Sequence, residues 1–97
     1  MQTVVDNEAE ERFEVELDGR VAQLVYDLGD GDLALIHTEV PSELEGHGIG
    51  GQLVTAAVDR AVRDGLTVVP QCPFARGWLQ RHPDIAGRAA IRWPANP

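Results

Sequence analysis

The chain lacks lysine altogether, and its 97 residues include only five aromatic side chains and a single cysteine. One cysteine allows no disulfide within the chain, which is typical of a reducing compartment, so we expect a cytoplasmic location. The acidic segment from Met1 to Glu11 has no apolar stretch like that of a signal peptide, and no apolar run reaches membrane-spanning length. The length predicts one domain with a small hydrophobic core.

Charge is unevenly distributed along the chain, whose formal net charge is −8. Residues 1–45 contain thirteen acidic residues and two arginines, whereas residues 46–97 contain three acidic residues and six arginines. An acidic chain is a poor match for nucleic acid or an anionic membrane, so we expect neither as a partner. The acidic half could attract a cationic acceptor such as an amine. The simpler interpretation of Asp6, Glu8, Glu10 and Glu11 is a solvated tail.

Hydrophobic periodicity predicts an α+β fold. Alternating apolar and polar residues predict three antiparallel strands in a meander. Apolar residues spaced one and four apart then predict a helix that Gly65 ends, and a short apolar run predicts a buried strand parallel to the third. The predicted elements are strands from Arg12 to Leu17, from Arg20 to Leu28 and from Asp32 to Val40, a helix at about 50–64, a strand from Leu66 to Val69 and a short second helix from Phe74 to Arg81.

Four glycines crowd the segment between the third strand and the first helix, which reads Glu45-Gly46-His47-Gly48-Ile49-Gly50-Gly51. A strand, a glycine turn and a helix together direct free backbone N–H groups and the positive end of a helix dipole at an anion. We therefore expect a phosphorylated ligand here. The alternative is that the glycines only form a tight turn.

Two familiar phosphate motifs do not fit this segment. Gly46-x-Gly48-x-x-Gly51 matches the dinucleotide fingerprint, but the next strand ends in Pro70-Gln71 without an acidic residue, and there is no second βαβ half. A P-loop needs a lysine, which the chain lacks.

The segment resembles the pyrophosphate loop of the GNAT superfamily of N-acetyltransferases, which reads Gln/Arg-x-x-Gly-x-Gly/Ala. Gly48 and Gly50 match its glycines, and Glu45 stands where the family prefers Gln or Arg. The chain is also similar to the short stand-alone YjdJ-type GNAT-like domain in three further segments, Thr38-Glu39-Val40-Pro41, Val69-Pro70-x-Cys72-Pro73-Phe74 and Arg81-His82-Pro83. The resemblance implies a minimal GNAT-like domain over residues 12–93, between an acidic tail, 1–11, and a C-terminal tail, 94–97.

The resemblance implies that acetyl-CoA is the co-substrate, without a metal, and that its acetyl group passes to an amine by direct attack in a ternary complex. Backbone N–H groups at the Glu39–Val40 strand end would stabilise the oxyanion. The alternative is a CoA-binding or protein-interaction module with little catalysis, because few residues remain for an acceptor pocket. We expect a monomer or weak dimer. The cofactor is expected to contact Val40, Gly46, His47, Gly48, Ile49, Gly50, Gly51, Cys72, Pro73 and Phe74.

Three residues are candidates for catalysis. His37 and Glu39 lie two apart on one strand, so they share a face, and either could accept the proton of the amine directly or through water. Cys72 follows the parallel strand and could be a nucleophile, a residue lining the pantetheine channel or a small buried hydrophobe. Many GNAT enzymes use a tyrosine as acid, but the chain's one tyrosine, Tyr26, lies outside the corresponding region. The histidines and Cys72 lack the paired spacing of a metal site.

Overall fold

The computed structural model describes residues 3–95 as one mixed sheet with helices. The sheet order is β1-β2-β3-β4-β5-β6, in which neighbours from β1 to β4 are antiparallel and β5 and β6 are added in parallel. The predicted α+β fold is confirmed. The elements are β1 (Val5–Asn7), β2 (Arg12–Leu17), β3 (Arg20–Gly29), β4 (Asp32–Glu39), a 3-10 turn (Ser42–Leu44), α1 (Ile49–Asp64), β5 (Thr67–Pro70), α2 (Pro73–Arg81), α3 (Pro83–Ala86) and β6 (Ala90–Ile91).

The helices lie on one face of the sheet. Both crossovers, β4–α1–β5 and β5–α2–β6, step in the same direction along the sheet, so right-handed connections place α1 and α2 on the same side. Along β2, β3 and β4, alternate residues such as Phe13, Leu24 and Leu33 are buried against the helices, whereas Val21 and Asp27 on the other face are exposed. We call this second face the open face. The core includes Phe13, Val15, Leu24, Leu33, Leu35, Leu53, Val54, Val58, Val68 and Leu79.

The N-terminal acidic segment is not simply a solvated tail. Val5–Asn7 forms β1 and pairs with β2, and Asp6 accepts hydrogen bonds from Tyr26 Oη at 2.6 Å and from Arg60 Nη1 at 2.8 Å. Arg60 projects from α1 and is only 7% exposed. Burial and the neighbouring Asp6 carboxylate raise the pKa of Tyr26 to about 12. The expectation failed here because the partner of Asp6 lies 54 residues further along the chain.

The C-terminal segment also joins the sheet. Ile91 lies in β6 beside Val68, and the Arg92 N–H donates to the carbonyl of Val68 at 2.9 Å. The short helix α3 was not predicted. Of the predicted C-terminal tail, 94–97, the last two residues lie outside the described range. Within residues 3–95, no helix is long and apolar enough to cross a membrane.

Candidate functional site

A cleft forms where the two central parallel strands separate. β4 and β5 pair from Asp32 and Thr67 to Leu35 and Pro70, after which the Cys72 N–H donates to the Leu35 carbonyl at 2.8 Å. β4 continues to Glu39 and there pairs with β3 alone among the described strands. One edge of residues 36–39 is therefore open at the carboxyl end of the parallel strands, where ligands bind in sheets of this kind.

A bulge in β4 decides which side chains enter this cleft. Tyr26 pairs with Leu35 and Val25 with His37, so Ile36 is an extra residue. An extra residue reverses the faces of the residues that follow it. Thr38, which pairs with the buried Leu24, therefore points to the helix side. His37 and Glu39 point to the open face.

The cleft opens into a cavity of about 480 Å³ on the helix side. Seven residues predicted to contact a cofactor line it, whereas His47, Cys72 and Pro73 are not part of its lining. Four lining residues were not predicted: Thr38, Leu44, Glu45 and Trp78. The full lining is Thr38, Val40, Leu44, Glu45, Gly46, Gly48, Ile49, Gly50, Gly51, Phe74 and Trp78.

The N-terminus of α1 faces the cavity without a side-chain cap. The N-cap residue is Gly48, at φ 70°, and the first turn contains no acidic residue. The first helical bond runs from the Gln52 N–H to the Gly48 carbonyl at 3.1 Å. The preceding N–H groups have no carbonyl partner within the helix, and the positive end of the helix dipole adds to their field. This part of the cavity can hold an anion.

The four loop glycines serve two different purposes. Gly46 and Gly48 have φ values of 86° and 70°, and a Cβ atom on either would meet open space. Gly50 and Gly51 lie in α1, where a Cβ atom would lie 2.5 Å from Phe74 Cζ and 2.6 Å from Trp78 Nε1, respectively. The first pair thus shapes the loop, and the second pair lets α2 approach α1. Phe74 and Trp78 are one helical turn apart, so both lie on one face of the predicted second helix. This spacing is the sequence signal from which the contact could have been found.

We predict that Gly51→Ala destabilises the fold by about 1–3 kcal/mol, the usual cost of overpacking. Without the contact to Trp78, replacing a helical glycine by alanine would raise the free energy of unfolding by up to about 1 kcal/mol. The sign of the change in stability therefore tests the contact. The Trp78 ring cannot yield easily because it stacks on His82, with 3.9 Å between ring centroids, and His82 Nδ1 lies 2.8 Å from the Trp78 carbonyl oxygen.

Gly50→Ala is the matched control for this prediction. Its neighbour Phe74 is 41% exposed and can swing into solvent, so we expect almost no loss of stability. Urea denaturation of both variants provides the measurement. Equal stability of Gly51→Ala and the parent chain would contradict the proposed packing role.

The two candidate bases lie together but outside the cavity. His37 Nε2 is 3.8 Å from Glu39 Oε2, and their side chains are 60% and 64% exposed on the open face. Gln23 Nε2 donates to Glu39 at 3.4 Å. Both residues flank Thr38 in sequence, so the pair lies across the strand from the cavity. Their catalytic role stays a prediction.

Cys72 lies behind Thr38 rather than on the cavity wall. Its side chain is 3% exposed, and Sγ is 3.2 Å from the hydroxyl of Thr38, a residue that lines the cavity. The contact arises because β5 ends just before Cys72 and the bulge turns Thr38 inward. Thr38 was not singled out from the sequence, since a single threonine in a strand carries no pattern.

The charge of the cavity is set by few groups. Among its described lining residues none is arginine, and Glu45 is the only one with an ionisable side chain. Tyr26, the one tyrosine, is not among them, because it lies in the cluster with Asp6 and Arg60. Within residues 3–95, no group of three or more His, Cys, Asp or Glu side chains could hold a metal ion.

Comparison with known families gives one match over most of the chain. A family model described as GCN5-related N-acetyl-transferase matches residues 12–87. The matched range runs from the first residue of β2 to just beyond α3, and so contains the whole cavity.

Proposed function

Because the chain belongs to the GCN5-related N-acetyltransferase family, we propose that it binds acetyl-CoA and transfers the acetyl group to an amine by direct attack in a ternary complex. One observation carries the proposal: a single cavity joins the uncapped N-terminus of α1 to the separated end of β4. The N-terminus of α1 suits the anionic pyrophosphate of CoA, and the open edge of β4 suits its pantetheine arm. The volume of about 480 Å³ is ordinary for a ligand site.

The pyrophosphate would lie at the start of α1. Backbone N–H groups at Gly48, Ile49 and Gly50 would donate to its oxygens, and the helix dipole would favour its charge. A Cβ atom at Gly46 or Gly48 would enter open space. Because both residues are glycines, no side chain occupies that space, and it stays free for the pyrophosphate. Ile49 is 1% exposed and packs in the core, which fixes the position of this turn.

The pantetheine arm would follow the open edge of β4. Its two amides can pair with backbone groups of residues 36–40 as a strand would, because β5 has already diverged there. The thioester would then lie in the split between the strands. A backbone N–H near Val40 would stabilise the oxyanion that forms on its carbonyl oxygen.

The amine would approach from the open face. Its nitrogen attacks the thioester carbon, the C–S bond breaks with its electron pair on sulfur, and the amine loses a proton. His37 or Glu39, directly or through water, would accept that proton. An amine that is an ammonium ion in solution must be deprotonated before attack, since its pKa is near 10.4 for a lysine.

Titration with acetyl-CoA, followed by backbone amide shifts, tests the binding step. We expect the largest shifts at Gly46 to Gly51 and along residues 36–40. A panel of peptide and small amines then tests turnover. Binding without acetylation of any amine would favour a CoA-binding module, and absence of binding would contradict the proposal.

Cys72→Ala tests the role of the cysteine. We expect a few-fold change in acetyl-CoA affinity, persistent turnover and a loss of roughly 1 kcal/mol of stability, because only a small buried side chain is removed. Affinity, turnover and melting temperature are measured beside the parent chain. Loss of turnover with intact affinity would instead identify a nucleophile, and unchanged affinity and turnover would place Cys72 outside the site.

A further inference from the structure

We propose that Glu45 is a specificity-determining residue that lowers the affinity of the cavity for phosphate-bearing ligands. This inference rests on the proposed binding of acetyl-CoA. It starts from an inconsistency within the site: the N-terminus of α1 attracts anions, yet the one ionisable side chain in the cavity lining is a carboxylate.

Glu45 lines the cavity together with Gly46 and Gly48, which lead to the predicted anion position. Glu45 ends the 3-10 turn in extended conformation, at φ −66° and ψ 150°, and its N–H donates to the Ser42 carbonyl at 3.2 Å. The next residue, Gly46, already belongs to the loop that leads into α1. The carboxylate makes no hydrogen bond or ion pair with any residue in the described part of the chain, so no neighbour neutralises it.

The relative size of the charges decides the direction of the effect. A helix N-terminus acts as roughly half a positive charge, whereas a carboxylate is a full negative charge. The carboxylate of Glu45 therefore offsets part of the attraction that the α1 N-terminus exerts on a pyrophosphate, while direct contacts of its oxygens with the N–H groups stay favourable. Binding then depends on short hydrogen bonds and on the apolar parts of the cavity, and CoA can leave readily after transfer.

Glu45→Gln removes the charge and keeps the shape. We expect its dissociation constant for acetyl-CoA to fall about tenfold at low ionic strength, since the repulsion between the carboxylate and the phosphates of the ligand is removed. Salt screens this repulsion, so the dissociation constants of the parent chain and the variant become more similar as ionic strength rises. In turnover, KM for acetyl-CoA falls while kcat stays equal or decreases.

Glu43→Gln is the matched control. Glu43 carries the same charge two residues earlier, but it pairs with Arg20 at 3.4 Å and does not line the cavity. We expect no more than a twofold change in this variant. Pantetheine, which has the amides and thiol of CoA without its phosphates, should bind the Glu45→Gln variant and the parent chain equally.

Calorimetric titration with acetyl-CoA at two ionic strengths, and with inorganic pyrophosphate followed by amide shifts, completes the test. An equal affinity of Glu45→Gln and parent for both phosphate ligands would overturn the role of Glu45 while leaving acetyl-CoA binding intact. An equal gain in Glu43→Gln would overturn it too, because the effect would then be one of net charge. If acetyl-CoA binds neither protein but pyrophosphate binds the variant more tightly, the proposed function fails and the role of Glu45 stands.

Discussion

A Gly48→Val variant should stay folded and lose about a hundredfold or more in affinity for acetyl-CoA. Gly48 has a φ of 70° and is the N-cap residue of α1, and a side chain there would enter open space beside the first helical N–H groups. A β-branched residue resists this backbone conformation and would hold the phosphate away from the N–H groups. Losing two charge-assisted hydrogen bonds, at about 1.5–3 kcal/mol each, corresponds to such a decrease.

Gly19→Val separates the loss of binding from the loss of stability. Gly19, in the turn between β2 and β3, has a φ of 76°, and a Cβ atom there would also meet open space. Both variants should therefore lose similar stability, in the range of about 1–2 kcal/mol for a left-handed residue. Only Gly48→Val should lose acetyl-CoA binding, measured by calorimetry. Unchanged affinity in folded Gly48→Val would remove the loop from the proposed site.

Arg60→Ala should cost about 3–5 kcal/mol of unfolding free energy, the typical loss when one partner of a buried ion pair is removed. Arg60 donates to Asp6 and to the Tyr26 hydroxyl, both at 2.8 Å, and to Asp64 at 3.2 Å. Without it, the Asp6 carboxylate faces the core side of the sheet without its cation. Since domains of this size are stable by only about 5–15 kcal/mol, much of the margin would be lost.

Arg63→Ala is the control for this prediction. Arg63 lies on the same helix and contacts Asp64 at 2.9 Å, but its side chain is exposed, so a change below about 0.5 kcal/mol is expected. Urea denaturation gives both values. Hydrogen exchange at Val5–Asn7 should also accelerate in Arg60→Ala alone, because β1 loses its attachment to α1. Similar destabilisation by both variants would show that burial of Arg60 is not the cause.

The elements that depend on local pattern were predictable. α1 was expected over about 50–64 and runs from Ile49 to Asp64, with Gly65 in the left-handed conformation at its end. The positions of β2, β3, β4 and β5 agree to within one or two residues. Each of these segments carries its own hydrophobic period, which needs no distant partner to be recognised. β1 and β6 are too short to have a period, and they form only because β2 and β5 offer free edges.

The sequence by itself determined the α+β order of elements, the glycine loop before α1 and the family resemblance, because each depends on residues that are close together in the chain. Only the tertiary structure decided how the loop glycines divide between turn and helix contact, that Thr38 faces the cavity while His37 and Glu39 face away, and that Arg60 holds β1. These outcomes depend on contacts between residues far apart in the chain and on one extra residue, Ile36, that reverses the faces of β4. The alternation of side chains along a strand does not reveal such a shift until pairing with a neighbouring strand fixes the register.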